Sequence, residues 1–211
     1  MAIFKRHNFG KDKVIGWWEI TESVESLEEG FIFSVENIQD YHTLSHPSKK
    51  SEWLVIRLLL RSLLADWNED YEGVYKDEFG KPHLSNRDYH ISVTHAAEYV
   101  VVVIDKKKPV GIDLEKIRPK ILKIAYKFLS EQELKDSGNE LNKLTVYWSA
   151  KESLYKLYGR KKLIFSTDLY VKHFEMKNFG MCFGVIYSDN KEFHHEIHFI
   201  KENDFILTYT V

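Results

Sequence analysis

The spacing of apolar residues changes period along the chain, and each change predicts an element. From Trp53 to about Trp67, the residues Trp53, Leu54, Ile56, Leu59, Leu60, Leu63 and Leu64 recur at three- and four-residue steps. That period predicts a helix with one broad apolar stripe, opened by His46-Pro47 with Ser48 as its N-cap. Tyr89–Val93 reads as a short strand, and the valine-rich run Glu98–Asp105 as a central buried one. Lys106-Lys107-Lys108-Pro109 reads as a basic hairpin turn leading into a strand at Val110, since proline can only open a strand. Ser130-Glu131-Gln132-Glu133 is a capping box for one helix, broken at Gly138-Asn139. A second helix begins near Glu140, ends at Gly159 and sends Leu144, Tyr147, Trp148, Leu154 and Leu157 inward.

Outside these segments the pattern is of strands and turns. Val14–Glu19 and Gly30–Ser34 read as strand pieces, with a short acidic helix over Thr21–Glu29. Phe79-Gly80-Lys81-Pro82 marks a turn inside Tyr75–Leu84. Asp168–Phe174, Gly180–Ser188, Phe193–Ile200 and Phe205–Val211 alternate as strands. The order predicts an α+β fold of two similar halves, 1–108 and 109–211, each with a helix and a mainly antiparallel sheet.

Composition narrows the functional classes. The 211 residues are 44% hydrophobic and 29% charged, as in ordinary globular proteins, with a net charge of −2. That balance argues against bulk nucleic-acid binding. The single cysteine, Cys182, excludes a disulfide framework within the chain and a Cys-rich zinc site. Met1–His7 has no apolar core of signal-peptide length, and the longest apolar run, Tyr99–Ile104, is far short of a membrane span. A cytoplasmic enzyme or binding protein, not attached to membranes, is the expectation.

Candidate chemistry gathers in two stretches. Asp113 and Glu115 stand at i and i+2 of the Val110 strand and point to one side. Glu152 and Lys156 stand four apart on the second helix and share a face. Three hard carboxylates without paired histidine or cysteine suit Mg²⁺, or Mn²⁺, and Lys156 suits a phosphate. Such pairs are also common as solvated polar faces. Arg57 and Arg61 interrupt the apolar stripe of the long helix four residues apart. They are read either as snorkelling stems or as a forked anchor for a phosphate. Lys81 reads as a solvated turn lysine or a phosphate contact, and His95 as a structural histidine where two strands meet. The cations Lys116, Arg118, Lys120, Lys123 and Lys127, on a helix, would form a basic face, either solvated or docking an acidic protein.

Four blocks in order change the balance: Phe79-Gly80-Lys81-Pro82, Ser92-Val93-Thr94-His95, Val110-Gly111-Ile112-Asp113-Leu114-Glu115 and Trp148-Ser149-Ala150-Lys151-Glu152-Ser153-Leu154-Tyr155-Lys156. Together, across roughly residues 48–170, they resemble the 4′-phosphopantetheinyl transferases of the surfactin-synthetase-activating branch. The resemblance implies a single-chain pseudo-dimer acting as a monomer. It implies transfer of the 4′-phosphopantetheine arm of coenzyme A to a serine of an apo acyl or peptidyl carrier protein, releasing adenosine 3′,5′-bisphosphate. Asp113, Glu115 and Glu152 would hold Mg²⁺, and Glu152, directly or through a water, would take the serine proton. Lys156 and His95 would contact phosphates, with Thr94 beside His95, and Lys81 and Arg57 would lie near the adenosine end. The carrier would dock near Lys116–Lys127. Ala96-Ala97 and Gly159-Arg160-Lys161-Lys162 depart from the family pattern. Competing expectations are a carrier-binding relative without catalysis and another Mg²⁺-dependent phosphotransferase. No G-x-x-x-x-G-K-[ST] loop supports the commonest nucleotide folds.

Overall fold

A computed structural model describes residues 3–160 and 162–211; Met1, Ala2 and Lys161, the last within the departing Gly159–Lys162 segment, lie outside it. The chain forms two compact units. Unit 1 is Met1–Asp77 with Pro82–Lys108, and unit 2 is Glu78–Lys81 with Pro109–Val211.

Unit 1 begins with an antiparallel pair, β1 (Ile3–Phe9) and β2 (Lys13–Glu19). Two short helices follow, α1 (Val24–Glu29) and α2 (Val35–His42), then the long helix α3 (Pro47–Ala65). A small hairpin, β3 (Val74–Lys76) and β4 (Pro82–Leu84), precedes β5 (His90–Ala96) and β6 (Tyr99–Asp105). The sheet order is β1-β2-β6-β5, with antiparallel neighbours throughout. Helix α3 crosses β2 and β6, burying Leu54, Val55, Leu59, Leu60, Leu63 and Leu64. The apolar stripe therefore covers the sheet, as its period requires.

Two expectations for unit 1 are corrected. The N-cap of α3 is His46, whose Nδ1 accepts from the Ser48 backbone N–H, and Pro47 takes the first helical position, where a missing N–H costs nothing. Gly30–Ser34 is not a strand. Phe31 and Phe33 pack on the Trp53 ring, and Ser34 caps α2, a helix the apolar pattern does not announce.

Unit 2 opens on β7 (Ile112–Lys116) and continues through two single 3₁₀ turns, Pro119–Lys123 and Ala125–Lys127. Helices α4 (Glu131–Ser137) and α5 (Leu141–Tyr158) follow, then β8 (Leu169–Val171), β9 (Phe179–Ser188), β10 (Lys191–Glu202) and β11 (Phe205–Thr210). The antiparallel sheet runs β7-β11-β10-β9-β8. Helix α5 lies across β7 and β11. Ser130 and Glu133 form the capping box of α4, and Gly138 and Gly159 end α4 and α5 in the left-handed conformation.

Two further expectations change here. Lys106–Pro109 is not a hairpin turn, because β6 pairs with β2 and β5 while β7 pairs with β11. The segment folds instead on the Asp105 carboxylate, which accepts from the backbone N–H of Lys107 (2.8 Å) and Lys108 (3.0 Å). The basic stretch after Lys116 is not one α-helix. Ile121, Ala125, Phe128 and Leu129 are its buried anchors, and the chain bends between them so that Lys120, Leu122, Lys123, Tyr126 and Lys127 stay exposed. Among the described residues, no helix is long and apolar enough to cross a membrane.

Candidate active site

At Gly111, just before β7, the chain of unit 2 runs against the backbone of α5. A Cβ there would lie 1.9 Å from the Ser153 carbonyl oxygen, so only glycine admits the α5 backbone at this distance. The facing side of α5 is correspondingly small and polar. Ser153 donates to the Thr208 carbonyl at 3.0 Å, and the Ser149 hydroxyl lies 3.0 Å from Thr208 Oγ1 and donates to the Asp113 carbonyl at 3.3 Å. These bonds fix the helix on β7 and β11 without intervening apolar bulk.

That approach brings the predicted residues together. Lys156 Nζ donates to Asp113 Oδ1 at 2.7 Å and to the Ile112 carbonyl at 3.0 Å. The Trp148 indole N–H donates to Glu115 Oε1 at 2.7 Å. Trp148, Glu152 and Lys156 follow one another at four-residue steps along one face of α5. Asp113 is 4% exposed, and Glu115 and Glu152 are half-buried.

The carboxylates sense one another. Burial pushes Glu152 up to about 7, with Asp113 and then Glu115 adding repulsion and Lys156 opposing it. Burial also raises Glu115, helped by Asp113 and opposed by Trp148, Lys156 and Arg118. Gathering like charges in a partly desolvated place is unfavourable unless a cation joins them. The donor set, three carboxylates, is that of a hard divalent ion. Among the described residues no three acidic, histidine or cysteine side chains are drawn tightly enough to enclose an ion as they stand. The Lys156 ammonium lies on Asp113 and the Trp148 indole holds Glu115.

Beneath this face lies a network that sequence reasoning missed. Lys151 has no exposed surface, and its ammonium donates to the carbonyls of Phe128 and Phe165 and to Glu133 Oε2, each at 2.8 Å. Glu133 also accepts from the backbone of Ser130 and of Val171. One fully satisfied buried pair thus ties the end of the 3₁₀ segment and the start of α4 to the helix carrying Glu152. Its residues lie 18 apart in sequence, and Lys151 was legible only as part of a motif. Trp148 as the Glu115 donor was missed too, although its place four residues before Glu152 was the available signal.

The remaining predicted residues have other surroundings. Lys81, in unit 2, donates to the Leu157 carbonyl at 2.9 Å near the end of α5, with its stem against Gly159. In unit 1, His95 Nε2 lies 3.2 Å from Glu52 Oε2 and 3.3 Å from Lys49 Nζ, while Thr94 is buried. Arg61 donates to the Gly30 carbonyl at the end of α1. Arg57 is buried against Trp53, its guanidinium 3.4 Å from the ring centroid.

Comparison with known proteins gives this geometry a context. Residues 109–210 match the family model of the 4′-phosphopantetheinyl transferase superfamily. A 4′-phosphopantetheinyl transferase of Bacillus subtilis is 30% identical over 136 residues, 60% of each chain. The 4′-phosphopantetheinyl transferase gsp of Aneurinibacillus migulanus is 31% identical over 144 residues, 66% of this chain and 57% of its own. The 4′-phosphopantetheinyl transferase Sfp of Bacillus subtilis strain 168 is 35% identical over 89 residues, 39% of each. The chain thus spans about three fifths or less of the length of these curated relatives.

Proposed function

With residues 109–210 belonging to the 4′-phosphopantetheinyl transferase superfamily, we propose that the chain moves the 4′-phosphopantetheine arm of coenzyme A onto a serine hydroxyl of an apo carrier protein. The observation that carries this reading is the mutually repelling set Asp113, Glu115 and Glu152, built on β7 and α5 beside Lys156. These carboxylates would hold Mg²⁺, which supplies positive charge to the pyrophosphate during transfer. Trp148 fixes Glu115 in place, and Lys156, held beside Asp113, offers a cation to a phosphate oxygen.

In the proposed step the serine oxygen bonds to the β-phosphorus. The bond from that phosphorus to the bridging oxygen breaks, and adenosine 3′,5′-bisphosphate leaves with the electron pair. The serine proton passes to Glu152 or to a water that Glu152 orients. Thr94, His95 and Lys81 serve the phosphates and the adenosine end of the co-substrate. Arg57, buried against Trp53, serves the adenosine end as well. Exposed Lys120, Lys123 and Lys127, with Leu122 and Tyr126 between them, form the carrier-docking surface. Each unit repeats one plan: a strand, a long helix, and a hairpin whose last strand pairs antiparallel with the first. This supports the pseudo-dimer reading, with a single chain as the working molecule.

The test is intact mass of a panel of apo carrier proteins after incubation with the chain, Mg²⁺ and coenzyme A. One phosphopantetheine added to a carrier, abolished by chelator and by Asp113→Ala, is the expected result. No addition to any carrier, from a chain that coenzyme A still stabilises thermally, would move the assignment to a carrier-binding relative without catalysis.

A further inference from the structure

The outer face of the β9–β10 hairpin departs from the usual alternation of a solvent-facing sheet. Cys182, Gly184 and Ile186 of β9 turn inward, and a Cβ added at Gly184 would meet Leu154 of α5. The intervening residues therefore point away from α5. Among them are Phe179, Met181, Phe183 and Tyr187, between 38% and 78% exposed. An antiparallel strand with one face in water ordinarily turns polar side chains outward, and a contiguous exposed apolar row marks an interaction surface. Beside this row, the same face of β10 carries Glu192, His194, Glu196 and His198, since Tyr187 pairs with Glu192, Phe183 with Glu196 and Met181 with His198. All four are exposed or half-buried. One row is thus apolar, and its neighbour alternates carboxylate and imidazole.

Those two rows select their partner. A row that alternates carboxylate and imidazole over four positions becomes its own complement when it is reversed. A two-fold axis lying between two such faces, across the strands at the His195–Gly184 pair, reverses both rows at once. It sets Glu192 on the copy's His198 and His194 on the copy's Glu196, donor to acceptor. On β9 it sets Met181 on the copy's Tyr187 and Phe183 on the copy's Val185, apolar on apolar. An axis along the strands would instead lay Phe183 on the copy's Glu196, which the pattern disfavours. We propose that this face joins two copies of the chain in an isologous dimer, sheet on sheet. The 10 residues of β9 span about 33 Å, and two strands with their side-chain margins about 10–15 Å, so each copy offers several hundred square ångströms. That is the low end of specific interfaces, about 1,200 Å² over both partners, and gives a dimer of micromolar strength. The contact lies on the side of the sheet away from α5, so each chain keeps its own carboxylate site and the proposal stands independently of the transfer reaction.

Sedimentation equilibrium of the full chain from about 1 to 200 µM tests this, with a monomer–dimer Kd of about 10 µM expected. Phe183→Lys, at an exposed position, weakens the dimer at least about tenfold. His194→Glu with His198→Glu makes the β10 row wholly acidic, and Glu192→Lys with Glu196→Lys makes it basic throughout. Each double variant is monomeric by itself, because a reversed row now meets like charge, and an equimolar mixture of the two restores the dimer mass. The substituted side chains lie outside the buried core, and thermal unfolding verifies that each variant is folded. A chain that stays monomeric at the top of the concentration range overturns the proposal. So does a dimer that persists in Phe183→Lys and in both double variants, which would place the contact on another face. A mixture no more associated than its components overturns it as well, since the complementarity of the reversed row is what assigns this face to a second copy.

Discussion

Helices α3 and α5 are the long helices of the two units, and they meet their sheets differently. On α3 the contact is made by leucines: a Cβ added at Gly16 of β2 would strike the Leu59 and Leu63 methyls at 2.7 and 2.9 Å. On α5 it is made by serines, and a Cβ at Gly111 would strike backbone. The leucine contact buries apolar area and stabilises its unit. The serine contact gives up that area and draws the helix backbone close to β7, which is what lets Lys156 reach Asp113 across from another element. One unit spends its central contact on packing and the other on placing charge. The contrast shows that a helix laid on an antiparallel sheet can serve packing or the placement of charge.

The comparison can be broken most directly at the carboxylates. Asp113→Ala or Glu152→Ala leaves unit 2 folded, because each removes a member of a mutually repelling set, and lowers transfer about 10³-fold or more in single-turnover mass measurements. A near-normal rate would remove both residues from the mechanism. Next in size is the glycine pair. Gly111→Ala costs about 3 kcal/mol or more in urea unfolding, since backbone must move, whereas Gly16→Ala costs about 1 kcal/mol, since leucine side chains can turn. Equal costs would mean that the two helix–sheet contacts are not different in kind.

Smaller effects sharpen the picture of unit 2. Replacing Lys120, Lys123 and Lys127 by glutamate raises KM for the carrier about tenfold and leaves the coenzyme A dissociation constant unchanged in titration calorimetry. Parallel losses on both would place those lysines elsewhere. The smallest concerns His173, which contacts Asp136 and Glu175. The hydrogen bond to Asp136 is the main cause holding its pKa above the ordinary 6.5. A raised folded value means that its stabilisation is fully present below about pH 6.5 and is lost as pH rises through the raised value. His173→Asn therefore lowers Tm by about 1–2 °C at pH 6 and by less at pH 9; a pH-independent difference would show that the imidazolium is not what the contact uses.

Much of this was legible in order and period. The apolar stripe of α3, the capping box at Ser130, the glycine stop at Gly159 and the four late strands are local signals, each written within a few residues. The strand carboxylates and the Glu152–Lys156 pair were legible as two faces, because strand and helix periods fix which side chains point together. What failed depended on distant partners. Helix α2 is only eight residues long and is placed by Tyr41 packing on Trp53. Lys106–Pro109 looks like a hairpin turn, but strand pairing is decided by β11, about a hundred residues later. The 3₁₀ segment carries buried anchors, Ile121, Ala125, Phe128 and Leu129, at the three- and four-residue steps of a helix, so spacing alone does not tell it from an α-helix. Nothing near Lys151 announces that its partner is Glu133.

The four residues Glu78–Lys81 give the chain an unusual account of its own boundaries. They are counted with unit 2, although unit 1 surrounds them in sequence, and Lys81 satisfies a carbonyl at the end of α5 while covering Gly159. A segment cut out by sequence similarity alone, 109–210, therefore leaves behind part of the unit it is meant to represent. Transplanted or expressed by itself, that segment would carry an α5 whose final turn lacks its outside donor. A synthetic peptide bearing the Phe79–Lys81 turn could be supplied in trans to repair it, so inheritance and folding divide this polypeptide at different places.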